Sequence, residues 1–268
     1  MAAGHSVDPA RWLAGLDDLL GCVAARITRV EPRRRLRRFV VGMLAGLPRT
    51  NCWSLAEYAG ERCPRGMQRL LSSASWDADA VLGDVRDWVV AHLGEPGGIL
   101  VVDETGDLKK GTMTVGVQRQ YTGTAGRIEN SQVAVYLTYA SAKGHALMDR
   151  ALYLPKSWTD DPERLTAAGV PDDVEFTTKP ALAQAMITKA LDAGVPACWV
   201  TGDEVYGGDS KRRKRLRRQG IGYVLAVAKS HQISTGIGAR RAIDLAAGLP
   251  KRSWQRLSAG TGAKGQRW

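Results

Sequence analysis

Phenylalanine is almost missing from this chain, at two among 268 residues, while alanine, glycine and arginine are plentiful. That skew reads as a codon bias toward G and C and carries no functional meaning. No apolar run approaches the roughly 18 residues that a spanning helix needs. The stretch from Met1 to Arg11 has no apolar signal core, so the chain is expected in the cytosol and away from membranes. The four cysteines are Cys22, Cys52, Cys63 and Cys198. None forms a CxxC pair and no histidine lies at ligand spacing, which disfavours a zinc finger. Reduced, mostly buried thiols are the expectation. There is no GxSxG, and neither His145 nor His231 sits in a triad setting, so both read as structural. Gly106, Gly111, Gly123 and Gly126 fit no phosphate loop, which disfavours a nucleotide triphosphatase. Most tryptophans, Trp158 and Trp199 included, lack stacking periodicity and are expected in the core.

Positive charge is what the chain does have. The net charge of +11 favours a polyanionic partner, nucleic acid ahead of an anionic membrane. The plain alternative is a basic but inert surface. At 44% hydrophobic, the chain supports a real core, in one large domain or two smaller ones.

Residues 7 to about 93 read as helices. Asp8-Pro9 is a cap followed by proline at the first helical position, and Trp12, Leu16, Leu19, Leu20, Val23 and Ile27 follow at helical spacing. Glu31-Pro32 opens a second helix, apolar on one face and bearing Arg33, Arg34, Arg35, Arg37 and Arg38 on the other. Ser54 to Glu57 has a capping-box pattern, and Gly60 stands where that short helix stops. Pro64 to Ser72 makes another helix, and Asp77 caps a last one that Gly94 ends. The pair around Gly60 has the size of a helix-turn-helix whose second helix exposes Arg65, Gln68 and Arg69 for groove contacts. Ordinary helical hairpins share that pattern.

From Gly97 the period changes. Strand-like runs occur at 98–103, around 115–122, and at 131–141, 197–202 and 222–228, with helical patterns at 180–193 and 209–219. Strands first, then alternating helices and strands, imply a mixed α/β sheet. The stretch from Tyr153 to Lys179 reads as a long loop, often functional in a compact domain.

Two of these runs end on an acid. Gly98-Ile99-Leu100-Val101-Val102 leads into Asp103-Glu104, and Ala197-Cys198-Trp199-Val200-Thr201-Gly202 leads into Asp203-Glu204. A single such acid can equally cap a helix or make a turn. Repeated on neighbouring strands of a basic protein, the pair suits a shared divalent metal. Phosphodiester cleavage needs an activated water, a stabilised leaving oxygen and charge neutralisation at phosphorus, which two ions roughly 4 Å apart supply. Glu104 and Glu204 are poor co-ligands, because strand neighbours point to opposite faces. Seven of the eight residues Lys211, Arg212, Arg213, Lys214, Arg215, Leu216, Arg217 and Arg218 are basic. On a helix they are charged nearly all round and suit a DNA backbone, with Lys109 and Lys110 adding charge near the first aspartate. A solvated helix face or an import signal are the plainer readings.

The blocks Val101–Gly106, Leu108–Gly111 and Val115–Tyr121 resemble the first catalytic block of bacterial DDE transposases, most nearly the type 701 insertion sequences. Gly126 to Val133, Tyr139 to Ser141, Ala151 to Trp158, Trp199 to Gly207 and Gly66 to Leu71 are similar to the same family, so the likeness covers nearly the whole chain. The resemblance implies a ribonuclease-H-like mixed sheet flanked by helices over 96–268, preceded by an all-helical DNA-binding domain over 1–95. It implies two Mg2+ ions, with Mn2+ able to substitute, and cleavage and joining of double-stranded transposon ends and target, as a homodimer on DNA, in a bacterial nucleoid-associated protein. Asp103 and Asp203 would be its first and second acids. The third, a glutamate in a downstream helical block, is not found before Trp268, so a truncated form, weak or inactive alone, is expected. The alternatives are a catalytically dead DNA-binding regulator of the same descent and a metal hydrolase that acts on something other than nucleic acid.

Overall fold

A computed structural model describes residues 8–255 and the backbone of 261–262 and 265–266. Five helices come first: α1 (Pro9–Ala24), α2 (Val30–Leu44), α3 (Cys52–Tyr58), α4 (Arg65–Ser72) and α5 (Ala78–Leu93). Their ends follow local chemistry. Asp8 accepts a hydrogen bond from the Ala10 N–H with Pro9 at the first position, and Asp77 accepts from Asp79 and Ala80. The cap of α3 is Asn51, three residues earlier than the Ser54 expected from sequence. Ser54 is instead the third helical residue and returns the bond to the Asn51 N–H, closing the capping box. Gly60, at φ +72°, supplies the left-handed turn that stops α3.

The remaining chain is strand-rich. β1 (Gly98–Leu108), β2 (Gln118–Thr122), β3 (Arg127–Ser141) and β4 (Gly144–Leu152) precede two short helices, α6 (Lys156–Thr159) and α7 (Pro162–Ala167). Then come α8 (Lys179–Asp192), β5 (Ala197–Gly202), α9 (Glu204–Gly207), α10 (Ser210–Arg218) and β6 (Gly222–Leu225). The hairpin β7 (Gln232–Thr235) and β8 (Gly238–Arg241), helix α11 (Ala242–Ala247), and the paired β9 (Thr261–Gly262) and β10 (Gly265–Gln266) follow. Six strands form one sheet in the order β2-β3-β1-β5-β6, with β4 also on β3. β2 and β3 are antiparallel and β5 and β6 parallel, so the sheet is mixed. A mixed sheet flanked by helices, after a helical region, is the expected fold class.

Two compact units emerge. The first comprises 1–99, 136–150 and 189–197, and the second 100–135, 151–188 and 198–268. In the first, Leu55, Ala56 and Met67 form a core completed by Phe39 and Leu47, which binds α2, α3 and α4 together. In the second, Leu100, Val102, Val133, Val135, Val200, Trp158, Tyr206 and Leu216 are all but inaccessible.

Several expectations change. β1 does not stop at residue 103 but runs to Leu108, and the loop from 153 to 179 contains α6 and α7, both too short to register as a period. Cys22 and Cys63 are exposed, and Cys52 and Cys198 half-buried, so no thiol is fully buried. Trp12, Trp53, Trp76, Trp199 and Trp254 are exposed, and Trp158 alone among the described tryptophans is buried, its indole N–H donating to the Val117 carbonyl. His145 is exposed.

Candidate functional site

β1 and β5 are neighbours in the sheet, and both aspartates follow matching positions on them. A side chain at Gly202 would lie 2.7 Å from Val102 Cγ2, so these two residues stand side by side with the same outlook, and only glycine fits there. Along β1 the buried positions are Gly98, Leu100, Val102 and Gly106, all on one face. Alternation then turns Asp103 to the opposite face. Asp203 keeps an extended backbone, φ −77° and ψ −169°, and follows Gly202 onto that same face. β5 ends at Gly202 while β1 continues, so Asp103 stands where its neighbour leaves the sheet. Both side chains are solvent-accessible.

Each aspartate uses one oxygen locally. Asp103 Oδ1 accepts from the Glu104 N–H at 2.8 Å, and Asp203 Oδ1 accepts from the Val205 N–H at 2.9 Å as the cap of α9. Neither Oδ2 has a hydrogen bond among the described residues. Partial burial raises the pKa of Asp103, the Glu104 N–H works against that rise, and the charges of Asp203 and Glu104 add to it. The folded state therefore holds the Asp103 proton more tightly than the unfolded chain does. Its carboxylate costs stability above the folded pKa, and that cost vanishes as pH falls below the ordinary 3.8. Asp103→Asn accordingly raises the melting temperature of the ion-free protein at pH 7, and the gain fades as the pH falls below the ordinary aspartate value. A melting point at pH 7 equal to or below that of the unchanged protein contradicts this charge relation.

Two carboxylates with free oxygens and unrelieved like charge fit a hard divalent cation as part of its oxygen shell. They are only a pair: among the described residues no group of three or more His, Cys, Asp or Glu side chains is placed to hold a metal ion. Glu104, expected to be a poor co-ligand, faces the Val102 side. Its Oε1 is 2.9 Å from Lys179 Nζ and its Oε2 accepts from the Tyr206 hydroxyl. Burial, then the bond to Glu104, raises the Tyr206 pKa far above its ordinary value, so the hydroxyl stays protonated and donates. Neither Lys179 nor Tyr206 is distinguished as functional by the sequence. The only signal is the repeated Asp-Glu step and the block around Tyr206.

The basic run is less uniform than its sequence. Arg212 is 1% exposed. It donates to the Tyr206 carbonyl at 2.8 Å, to Gln184 Oε1 at 3.3 Å and to the Pro180 carbonyl. It is therefore an interior residue and is withdrawn from the DNA-binding set. Leu216, one turn on, is also buried, which gives α10 an inward face. Arg213 is half-buried and donates to the Gly207 carbonyl. Lys211, Lys214, Arg215, Arg217 and Arg218 are exposed. Asp209 caps the helix, and the cations at its end suit the helix dipole, so α10 stands without a polyanion.

On α4, Arg65, Gln68 and Arg69 are exposed while Met67 and Leu70 are buried, which is the outward face expected. Arg69 also lines a cavity of about 240 Å3 with Arg29, Arg35 and Ser73. Arg29 carries no signal in the sequence. Lys110 is exposed and Lys109 half-buried. Because β1 runs on past Asp103 to Leu108, about 17 Å further along the strand, both lysines follow its far end and not the aspartates. No described helix is long and apolar enough to cross a membrane.

The chain is similar to the probable transposase for insertion sequence element IS701 from Microchaete diplosiphon, with 29% identity over 196 residues. That match takes in 72% of this chain and 48% of the relative, so the chain spans about half the length of the curated relative it matches. The family model described as DDE superfamily endonuclease matches residues 22–235, which include both aspartates, α4 and α10. Enzymes of that superfamily use divalent metal ions and act on DNA. With most of its length matched to that model, the chain belongs to the DDE superfamily of endonucleases.

Proposed function

We propose that the chain acts in DNA transposition as an insertion-sequence DDE transposase, with Asp103 and Asp203 as two of the ligands of its metal ions. The observation that carries this reading is the pair itself: two accessible carboxylates that follow the neighbouring residues Val102 and Gly202 on adjacent strands, with no cation paired to either among the described residues. Mg2+ is the expected ion, with Mn2+ able to substitute. Ions held there supply an activated water and neutralise charge at the phosphorus. The chain's own residues do the rest. Asp103 and Asp203 present their free oxygens on one face of the sheet. The exposed cations of α10, and Arg65, Gln68 and Arg69 on α4 with Arg29 beside them, hold the DNA backbone and reach its grooves. The helical region over 1–95 serves as the DNA-binding domain and 96–268 as the catalytic one, assembled as a dimer on transposon ends.

Among the described residues no third His, Cys, Asp or Glu joins the pair in a group able to hold a metal, and weak cleavage is what this reading expects of them. That same observation favours a second reading, a DNA-binding regulator that occupies transposon ends without cutting them. A strand-cleavage assay on transposon-end DNA with Mg2+ or Mn2+ separates the two. Weak cutting that Asp103→Ala removes supports the transposase. No cutting, with end binding intact in both proteins, supports the regulator.

DNA binding has its own test. Changing Lys214, Arg215, Arg217 and Arg218 together to glutamine lowers affinity about tenfold or more at moderate salt. The slope of log K against log salt falls by about 1 for each phosphate that the variant no longer neutralises. A gel-shift titration with an unchanged slope places the DNA elsewhere on the protein.

A further inference from the structure

On the face of β1 opposite the aspartates, four side chains close a ring. Glu104 follows Asp103 on β1, and Tyr206 lies three residues after Asp203 on α9. The Tyr206 hydroxyl donates to Glu104, so one hydrogen bond ties the turn that carries one aspartate to the strand that carries the other. The Tyr206 carbonyl accepts from Arg212 on α10. Arg212 also donates to the Pro180 carbonyl and to Gln184, at the start of α8. Lys179, the chain neighbour of Pro180, returns to Glu104 at 2.9 Å. Every member is buried or mostly so: Tyr206 and Arg212 at 0% and 1% exposed, and the Lys179 and Glu104 side chains at 19% and 18%.

We infer that this ring of Glu104, Tyr206, Arg212 and Lys179 is a brace that fixes the separation of Asp103 and Asp203, making the four positioning residues for the divalent ion. The inference rests on the metal-ligand reading of the two aspartates. Three features support it. The brace joins the very segments that carry the aspartates, within one residue of Asp103 and three of Asp203. Both Glu104 oxygens are engaged, Oε1 by Lys179 and Oε2 by Tyr206, so this third acid is held off the ion-facing side. Outer partners that hydrogen-bond metal ligands cost roughly 10–100-fold in affinity when lost, and the brace acts to the same end through the backbone of β1 and α9 without bonding the carboxylates itself.

Calorimetric Mn2+ titration of the whole chain tests it, with circular dichroism and melting as fold controls. Tyr206→Phe keeps the aromatic side chain and its packing and removes only the bond donated to Glu104. Glu104→Gln keeps one of the two acceptor oxygens and removes the charge. Each weakens Mn2+ binding by about tenfold or more while the dichroism stays unchanged. Lys179→Met does the same, and Lys179→Arg, which keeps the cation, restores most of the affinity. Asp103→Asn is the reference for the underlying reading. If Asp103→Asn weakens binding while folded Tyr206→Phe and Glu104→Gln bind as the unchanged protein does, the brace is overturned and the aspartate pair stands. If Asp103→Asn binds Mn2+ undiminished, the reading beneath it falls as well. Should Tyr206→Phe fail to fold, Glu104→Gln decides.

Discussion

Arg212→Met lowers the melting temperature by about 10 °C, whereas Arg215→Met, three residues on, leaves it nearly unchanged. The two arginines are indistinguishable in a run of seven basic residues out of eight. Arg212 is 1% exposed and serves three acceptors, the carbonyls of Tyr206 and Pro180 and the side chain of Gln184. Methionine fills the space without donating. A buried acceptor left unpaired costs about 1–3 kcal/mol; the Tyr206 carbonyl is buried and the Pro180 and Gln184 oxygens are partly so and cost less, which puts the loss at about 3–6 kcal/mol. For a domain of this size each kcal/mol shifts the melting point by roughly 2–4 °C. Burial lowers the Arg212 pKa, but an arginine starts high enough to keep its charge. Arg212→Lys rescues only part of the loss, because an ammonium cannot replace a planar fork that donates in three directions. Arg215 is exposed, and surface changes of that kind fall within about 0.5 kcal/mol. Thermal melts of the three variants check this, and equal melting points for Arg212→Met and Arg215→Met contradict it.

The double change Asp103→Asn with Asp203→Asn removes divalent-ion binding, a loss larger than the roughly 10–100-fold typical of outer partners. Asparagine keeps the shape and the local hydrogen bonds, since its oxygen still accepts from the Glu104 or Val205 N–H. What it lacks is charge, and hard cations are held by anionic oxygen. The pH dependence follows from Asp103. Its raised pKa means that protons compete with the ion at higher pH than at an ordinary aspartate, so Mn2+ affinity falls as pH drops. Titrations at several pH values check both points. Binding that survives the double change, or that is flat with pH down to 4, contradicts the assignment.

The fold is legible in the sequence where local chemistry and periodicity agree. Asp8-Pro9, Asp77 and Gly94 mark helix ends because capping is settled by one or two residues. The runs at 98–102 and 197–202 read as strands because burial demands apolar side chains there. β4 is not legible, because its sheltered positions include Gly144 and Ala146 while Leu147 and Leu152 stand exposed, so hydrophobicity does not follow the alternation of burial. The polar half of β1, Glu104 to Leu108, has the composition of a turn, yet its backbone stays paired in the sheet and so its side chains need not be apolar.

The aspartate pair is legible because a strand-end acid repeats after a repeated pattern. The residues behind it are not. Arg212 differs from its neighbours only in which side of α10 faces inward, and Leu216 is the sole hint of that side. Lys179 lies 75 residues from Glu104, a contact that chain topology makes and no local pattern announces.

Anomalous diffraction from crystals of the chain soaked in Mn2+ tests most directly whether Asp103 and Asp203 share an ion. A manganese peak bonded to one carboxylate oxygen from each aspartate is the result expected, with Glu104 still held by Lys179 and Tyr206. Peaks confined to other surfaces, with the two aspartates bare at saturating Mn2+, would contradict it.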